Sequence, residues 1–167
     1  MDEITGFAPV WRSDARILVL GTMPSVASLE QGFYYGHPRN AFWPIMASIL
    51  GAEEPESISE KADMLKNAGI ALWDVARSCV RRGSLDSDIK HVRPNEILEL
   101  LALCPNIKRV LFNGQKAREL YVRHIGLPGG VEYMTLPSTS PAYTLNYNKK
   151  LEAWRKAITL EEYNERR

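Results

Sequence analysis

Arg16-Ile17-Leu18-Val19-Leu20-Gly21 is the stretch from which the rest of the chain can be placed. Its aliphatic residues follow one another without the polar alternation of a half-exposed strand, and Gly21 stops the run. That is the pattern of a strand buried on both faces, which belongs in the middle of a sheet. Three further short runs read the same way: Ile70-Ala71-Leu72-Trp73, Arg109-Val110-Leu111-Phe112 and Glu132-Tyr133-Met134-Thr135-Leu136. Helical spacing fills the intervals from Phe42 to Leu50, Ser57 to Asn67 closed by Gly69, Pro94 to Leu103, and Gln115 to His124. A last helix is expected from Asn148 to about Tyr163. Strands alternating with helices predict parallel pairing through right-handed crossovers. The expected fold is therefore α/β, a three-layer sandwich with a central four-stranded parallel sheet flanked by helices.

The 167 residues suit one domain, expected to span residues 1–167. Apolar residues make up 45% and charged residues 25%, which is ordinary for a soluble globular protein, and no apolar run reaches the length of a membrane span. The acidic opening Met1-Asp2-Glu3-Ile4 lacks the pattern of a secretory signal, so a cytoplasmic location is expected. Cys79 and Cys104 form no CxxC pair, and the chain has only three histidines. No metal is expected, and both thiols should be reduced. With a net charge of +1, any attraction for nucleic acid must come from uneven placement. Acids gather at Glu53, Glu54, Glu56 and Glu60. Bases gather at Arg77, Arg81, Arg82, Lys90 and Arg93, and again at Lys149, Lys150, Arg155 and Lys156. These basic groups read equally as solvated faces or as a phosphate-contacting surface.

In an open parallel sheet, ligands bind where loops leave the carboxyl ends of the strands. Those ends carry Gly21-Thr22-Met23-Pro24-Ser25, Asp74-Val75-Ala76-Arg77, Asn113-Gly114-Gln115-Lys116 and Pro137-Ser138-Thr139-Ser140-Pro141. None is a GxGxxG or GxxxxGK[ST] motif, so a dinucleotide or nucleoside-triphosphate site has no anchor. Gly21-Thr22-Met23-Pro24-Ser25, together with Tyr34-Tyr35-Gly36-His37-Pro38-Arg39-Asn40-Ala41-Phe42-Trp43, resembles the first motif region of the uracil-DNA glycosylase superfamily. Pro137-Ser138-Thr139-Ser140 is similar to that superfamily's second motif. Gly69-Ile70-Ala71-Leu72-Trp73-Asp74 resembles the strand that carries its base-reading side chain. The Gly-Thr-Met-Pro-Ser opening and Gly-His-Pro-Arg-Asn segment look most like the hypoxanthine-DNA (deoxyinosine) glycosylase subgroup.

The resemblance implies a glycosylase that flips a deaminated base out of DNA and hydrolyses its glycosidic bond without a cofactor. Nothing in the motif loops looks like an amine nucleophile, so a monofunctional enzyme that leaves an abasic site without cutting the strand is expected. A monomer is expected, with DNA containing a deaminated base as its partner. Met23 stands where most of the superfamily has a water-activating Asn or Asp, and the subgroup implies that Asn40 takes that part. His37 is a weaker catalytic candidate, placed to bind water, the leaving base or a phosphate, and reads at least as well as a loop histidine paired to a backbone carbonyl. Against this, Asn40 also reads as a loop-bracing or capping residue. Capping looks awkward, because Pro44 favours the first helical position and would put the cap at Trp43. The implied base-binding set is Gly21, Thr22, Met23, Pro24, Tyr34, Tyr35, Asp74 and Asn113. Tyr34 and Tyr35 offer flat faces for an extruded base, although one of them also reads as core. Asp74 reads either as a base reader or as a turn cap. Asn113 and Gln115, after the third strand, read as lining the far side of the pocket, although no spacing argument lifts this above structural roles. The implied DNA-contacting set is Ser25, Arg39, Pro137, Ser138, Thr139 and Ser140. Ser138, Thr139 and Ser140, between two prolines, read as a stiff loop that presses on the phosphates flanking the target while its tip fills the vacated space in the stack, and equally as residues of an ordinary turn. Trp11, Cys79 and Trp154 are assigned to core packing. Rival readings are a uracil glycosylase, a lesion-binding protein without catalysis, and a small-nucleotide-binding module.

Overall fold

The computed structural model describes the backbone of residues 3–165 and the side chains of residues 3–159. Four strands, β2 (Ile17–Gly21), β3 (Ile70–Asp74), β6 (Arg109–Asn113) and β7 (Glu132–Leu136), form a parallel sheet in the order β3-β2-β6-β7. Its register pairs Ile17 with both Ile70 and Arg109. Every residue of β2 is buried, and the alternation of side chains along it feeds two cores. Ile17 and Val19 pack with residues of α2 (Phe42–Leu50), α3 (Ile58–Asn67) and α6 (Tyr147–Glu165), among them Phe42, Met46, Leu65 and Trp154. Leu18 and Leu20 pack with α4 (Ile97–Leu103) and α5 (Gln115–His124), chiefly Ile97, Leu100, Leu120 and Tyr121. This is the expected three-layer arrangement. Cys79 and Trp154 lie in the interior as expected, but Trp11 is 36% exposed and is not a core residue.

A second sheet was not expected. β1 (Glu3–Thr5), β4 (Ala76–Val80) and β5 (Lys90–Pro94) form an antiparallel sheet in the order β1-β4-β5. Only Val75 separates β3 from β4. At that point the chain leaves the parallel sheet while its backbone stays tied to the end of β2, through Val75 N–H to the Gly21 carbonyl (2.9 Å) and Ala76 N–H to that of Thr22 (3.1 Å). Arg77, read as part of a strand-end loop, is thus within a strand, and Pro94 ends β5 rather than starting α4. A short helix, α1 (Val26–Gln31), follows the first motif, with Ser25 as its N-cap. Among the described residues, no helix is long and apolar enough to cross a membrane.

Candidate active site

The order β3-β2-β6-β7 means that the chain runs outward from β2 in one direction and then returns to build on its other side. Such a reversal opens a crevice above the carboxyl ends of the strands. Here it holds a cavity of about 310 Å³, lined by Gly21, Asp74 and Asn113 from the ends of β2, β3 and β6, and by Ser138, Thr139 and Ser140 beyond β7. Thr22, Met23, Pro24, Ser25, Tyr34, Tyr35 and Asn40 also line it. His37, Arg39 and Pro137 do not. The His37 Nδ1 accepts the Arg39 N–H (3.0 Å), Arg39 is exposed, and the Pro137 carbonyl accepts the indole N–H of Trp154 (2.9 Å).

Gly21 is required by space. A Cβ there would fall 2.5 Å from Asp74 Oδ1 and 2.8 Å from the Tyr35 hydroxyl, distances that no side-chain carbon tolerates. The missing side chain lets these two polar groups converge at the cavity floor. Both Asp74 Oδ2 and the Tyr35 hydroxyl are buried without a hydrogen-bond partner. Asp74 is therefore not a turn cap. Burial, and then repulsion from Asp86, push its carboxyl up to about 7, against the opposing pull of Arg81. Burial and the Asp74 carboxylate also push the Tyr35 phenol upward. Tyr35 has a left-handed backbone (φ 55°), and its ring packs against Phe42 with centroids 4.3 Å apart. Tyr34 is a core residue rather than a platform. It is 2% exposed, its hydroxyl donates to the Ala8 carbonyl (2.7 Å), and its own carbonyl accepts the Trp43 indole N–H (2.9 Å).

The side-chain oxygen of Asn40 accepts the N–H of Phe42 (3.0 Å), the first residue of α2. Pro44 is the third residue of that helix, so the expectation that Asn40 stands too far away to brace its start is incorrect. Bracing and chemistry are compatible, because an amide oxygen has two lone pairs and the amide nitrogen two further donors. The second motif is tied to the same place. Asn113 donates to the Thr139 hydroxyl (3.0 Å) and accepts the Thr139 N–H (2.9 Å), while the Thr139 carbonyl accepts the N–H of Ala41 (3.0 Å). Asn113 thus acts through Thr139 to position the loop beside Asn40. Met23, in the place of a water-activating residue, packs with Ala76, Cys79 and Ile89 beneath the small sheet.

Gly114 and Gln115 line the cavity beside Asn113, and Ser28, Ser84, Leu85, Asp86, Ala142 and Tyr143, which were not anticipated, complete its wall. Asp86 begins a 3-10 turn (Asp86–Asp88) between β4 and β5, and its Oδ1 accepts the Thr22 hydroxyl (2.8 Å). Burial raises the Asp86 carboxyl, with the Thr22 bond and the Arg81 and Lys116 charges opposing. Arg81 is buried, donating through Nη2 to the Pro24 carbonyl and through Nε to that of Gly83 (2.8 Å). It is a brace, not a phosphate contact. Cys79 and Cys104 are buried and unpaired, and among the described residues no three His, Cys, Asp or Glu side chains gather as a metal would need.

This crevice and its two loops are those of a DNA glycosylase fold. The chain belongs to the uracil DNA glycosylase superfamily, whose family model matches residues 9–163. It is 37% identical over 92% of its length to a hypoxanthine DNA glycosylase of Methanosarcina barkeri, covering 96% of that protein. It is 36% identical over 82% of its length to a protein of the same name from Methanosarcina acetivorans, covering 86% of it. A solution NMR structure from Methanosarcina acetivorans, assigned provisionally to the uracil DNA glycosylases, superposes with a TM-score of 0.81 at 32% identity over 96% of this chain and 99% of that one.

Proposed function

We propose that this chain excises hypoxanthine from deoxyinosine in DNA by hydrolysis, leaving an abasic site. The observation that carries this reading is the unpartnered, deeply buried Asp74 carboxyl at the floor of a base-sized cavity. A carboxyl held near neutrality is protonated for much of the time, and then presents one donor beside one acceptor. That pair matches the carbonyl O6 and N1–H of hypoxanthine. As the bond from N9 to C1′ breaks, its electron pair leaves on the base, and a donor at the base edge stabilises that charge. Asn40, its amide fixed by the start of α2, positions the water that adds to C1′, and the proton released by that water ends on the base. Among the described residues no lysine lines the cavity, which fits a monofunctional reaction without an amine nucleophile. Uracil presents a similar N–H beside a carbonyl, and the preference for hypoxanthine follows the names of the relatives at 36–37% identity.

The test is incubation with duplexes containing inosine or uracil, followed by hot alkali to break the strand at abasic sites. Breakage is expected at inosine well above uracil, and Asn40→Ala should slow single-turnover release by at least about ten-fold with binding retained. Tight binding to inosine duplexes with no breakage would replace this reading by that of a lesion-binding protein.

A further inference from the structure

Leu85 is a large apolar side chain, 55% exposed, at the rim of the cavity. It belongs to the connection between β4 and β5, while Ser138–Ser140 and Tyr143 come from the segment after β7. An exposed leucine on a flexible loop would mean little, but this connection is fastened along its length. Arg81 is buried under it and bonded to the carbonyls of Pro24 and Gly83. The Ser84 hydroxyl accepts the N–H of Val26 (2.9 Å), Asp86 takes the Thr22 hydroxyl, and Asp88 N–H donates to the carbonyl of Leu85 itself (3.0 Å). Leu85 is therefore presented to solvent by a fixed platform, so little ordering entropy opposes its use. Exposed cations stand on the same small sheet and its connection: Arg77 in β4, Arg82 three residues before Leu85, and Lys90 paired with Val80 at the base. The exposed Asp88 offsets part of that charge.

An apolar tip beside a base-sized cavity, flanked by cations, fits one partner chemistry, a DNA duplex. Phosphates meet the cations, and the leucine meets the stacked bases exposed when a nucleotide leaves the helix. We propose that the β4–β5 connection is a second DNA-binding arm, and that Leu85 is the wedge that enters the duplex next to the extruded nucleotide. The inference rests on the reading of the cavity as a base pocket.

A wedge acts only where there is a stack to hold open. Leu85→Ala should therefore lower single-turnover excision from an inosine-containing duplex by about ten-fold or more, and from a single strand of the same sequence by less than about two-fold. Leu85→Met, which keeps an apolar tip of similar size, should restore most of the duplex rate. Equal losses on both substrates, or no loss on the duplex, would overturn the wedge. Should the wild-type protein excise no base at all, the proposed activity fails separately. The arm is then judged by binding to duplexes with and without a tetrahydrofuran abasic site. Leu85→Ala must weaken binding to the abasic duplex selectively, and equal affinities of variant and wild type would overturn the proposal.

Discussion

Asp74 sits where a folded protein ordinarily avoids a carboxylate, and the consequence is visible in stability as well as in chemistry. Its carboxyl is raised from the ordinary 3.8 to about 7. Between those values the native state holds a proton that the unfolded chain has released, so stability falls as pH rises through that window and stays low above it. Asp74→Asn abolishes this dependence while keeping the shape of the group. The variant should be stabilised by on the order of 2–4 kcal/mol near pH 8 and by much less near pH 5. Urea unfolding midpoints of the two proteins at both pH values check this, and an equal gain at the two would mean that Asp74 is ionised throughout. The position of Asp74 was legible in the sequence because it ends a strand in the expected order. Its partner Asp86 was not, since it lies 64 residues from the Thr22 hydroxyl it accepts and sits in a short polar turn that resembles any solvent loop. Tyr34 and Tyr35 are adjacent and chemically identical in sequence. Only packing assigns one to the core and leaves the other's hydroxyl in the site.

At the scale of elements, the parallel sheet and its major helices were legible because most of the strand runs are apolar throughout and helical spacing fills the intervals between them. The small sheet was not. Ala76–Val80 and Lys90–Pro94 carry Arg77, Lys90, His91 and Arg93, too polar to stand out, and His91 even adopts a left-handed backbone (φ 53°). Contact with the first-motif loop, through Met23 against Ala76, Cys79 and Ile89, supplies the stability that their own sequence does not advertise. The end of the second motif illustrates a similar dependence. Lys150, read as part of a basic surface, is 4% exposed, and its ammonium donates to the Ser140 carbonyl (3.0 Å) while lying 5.5 Å from the Tyr143 ring centroid. It fastens the 138–143 segment to α6. Lys150→Ala should leave that carbonyl unpaired and destabilise the protein by about 1–3 kcal/mol. Amide hydrogen exchange should quicken in the 138–143 segment more than elsewhere, and protection unchanged there would place the restraint of this loop in the Asn113–Thr139 pair alone.

Across the whole molecule, a net charge of +1 gives no general attraction for DNA, so binding depends on which cations face the duplex when the cavity does. Two members of the basic groups are withdrawn from that task, since Arg81 and Lys150 are buried and bonded to backbone carbonyls. Two more are engaged at the surface: Arg93 lies 3.4 Å from the Glu3 carboxylate, and Arg155 donates to the Ser48 hydroxyl (3.1 Å). Arg155 and Lys156 also lie along α6 beyond Trp154, whose indole is anchored behind the second motif at the Pro137 carbonyl. Arg77, Arg82 and Lys90 remain on the small sheet and its connection, which reaches the cavity rim through Ser84 and Leu85. Each cation that displaces a counterion from a phosphate adds about one unit to the dependence of log affinity on log salt. Neutralising Arg82 and Lys90 together should therefore flatten that dependence by about two units for an abasic-site duplex. Neutralising Arg155 and Lys156 should change it by much less. Titrations at several salt concentrations give both slopes independently of turnover. If the larger change follows the α6 pair, the duplex lies across the face of α6, and the small sheet's cations are merely solvated.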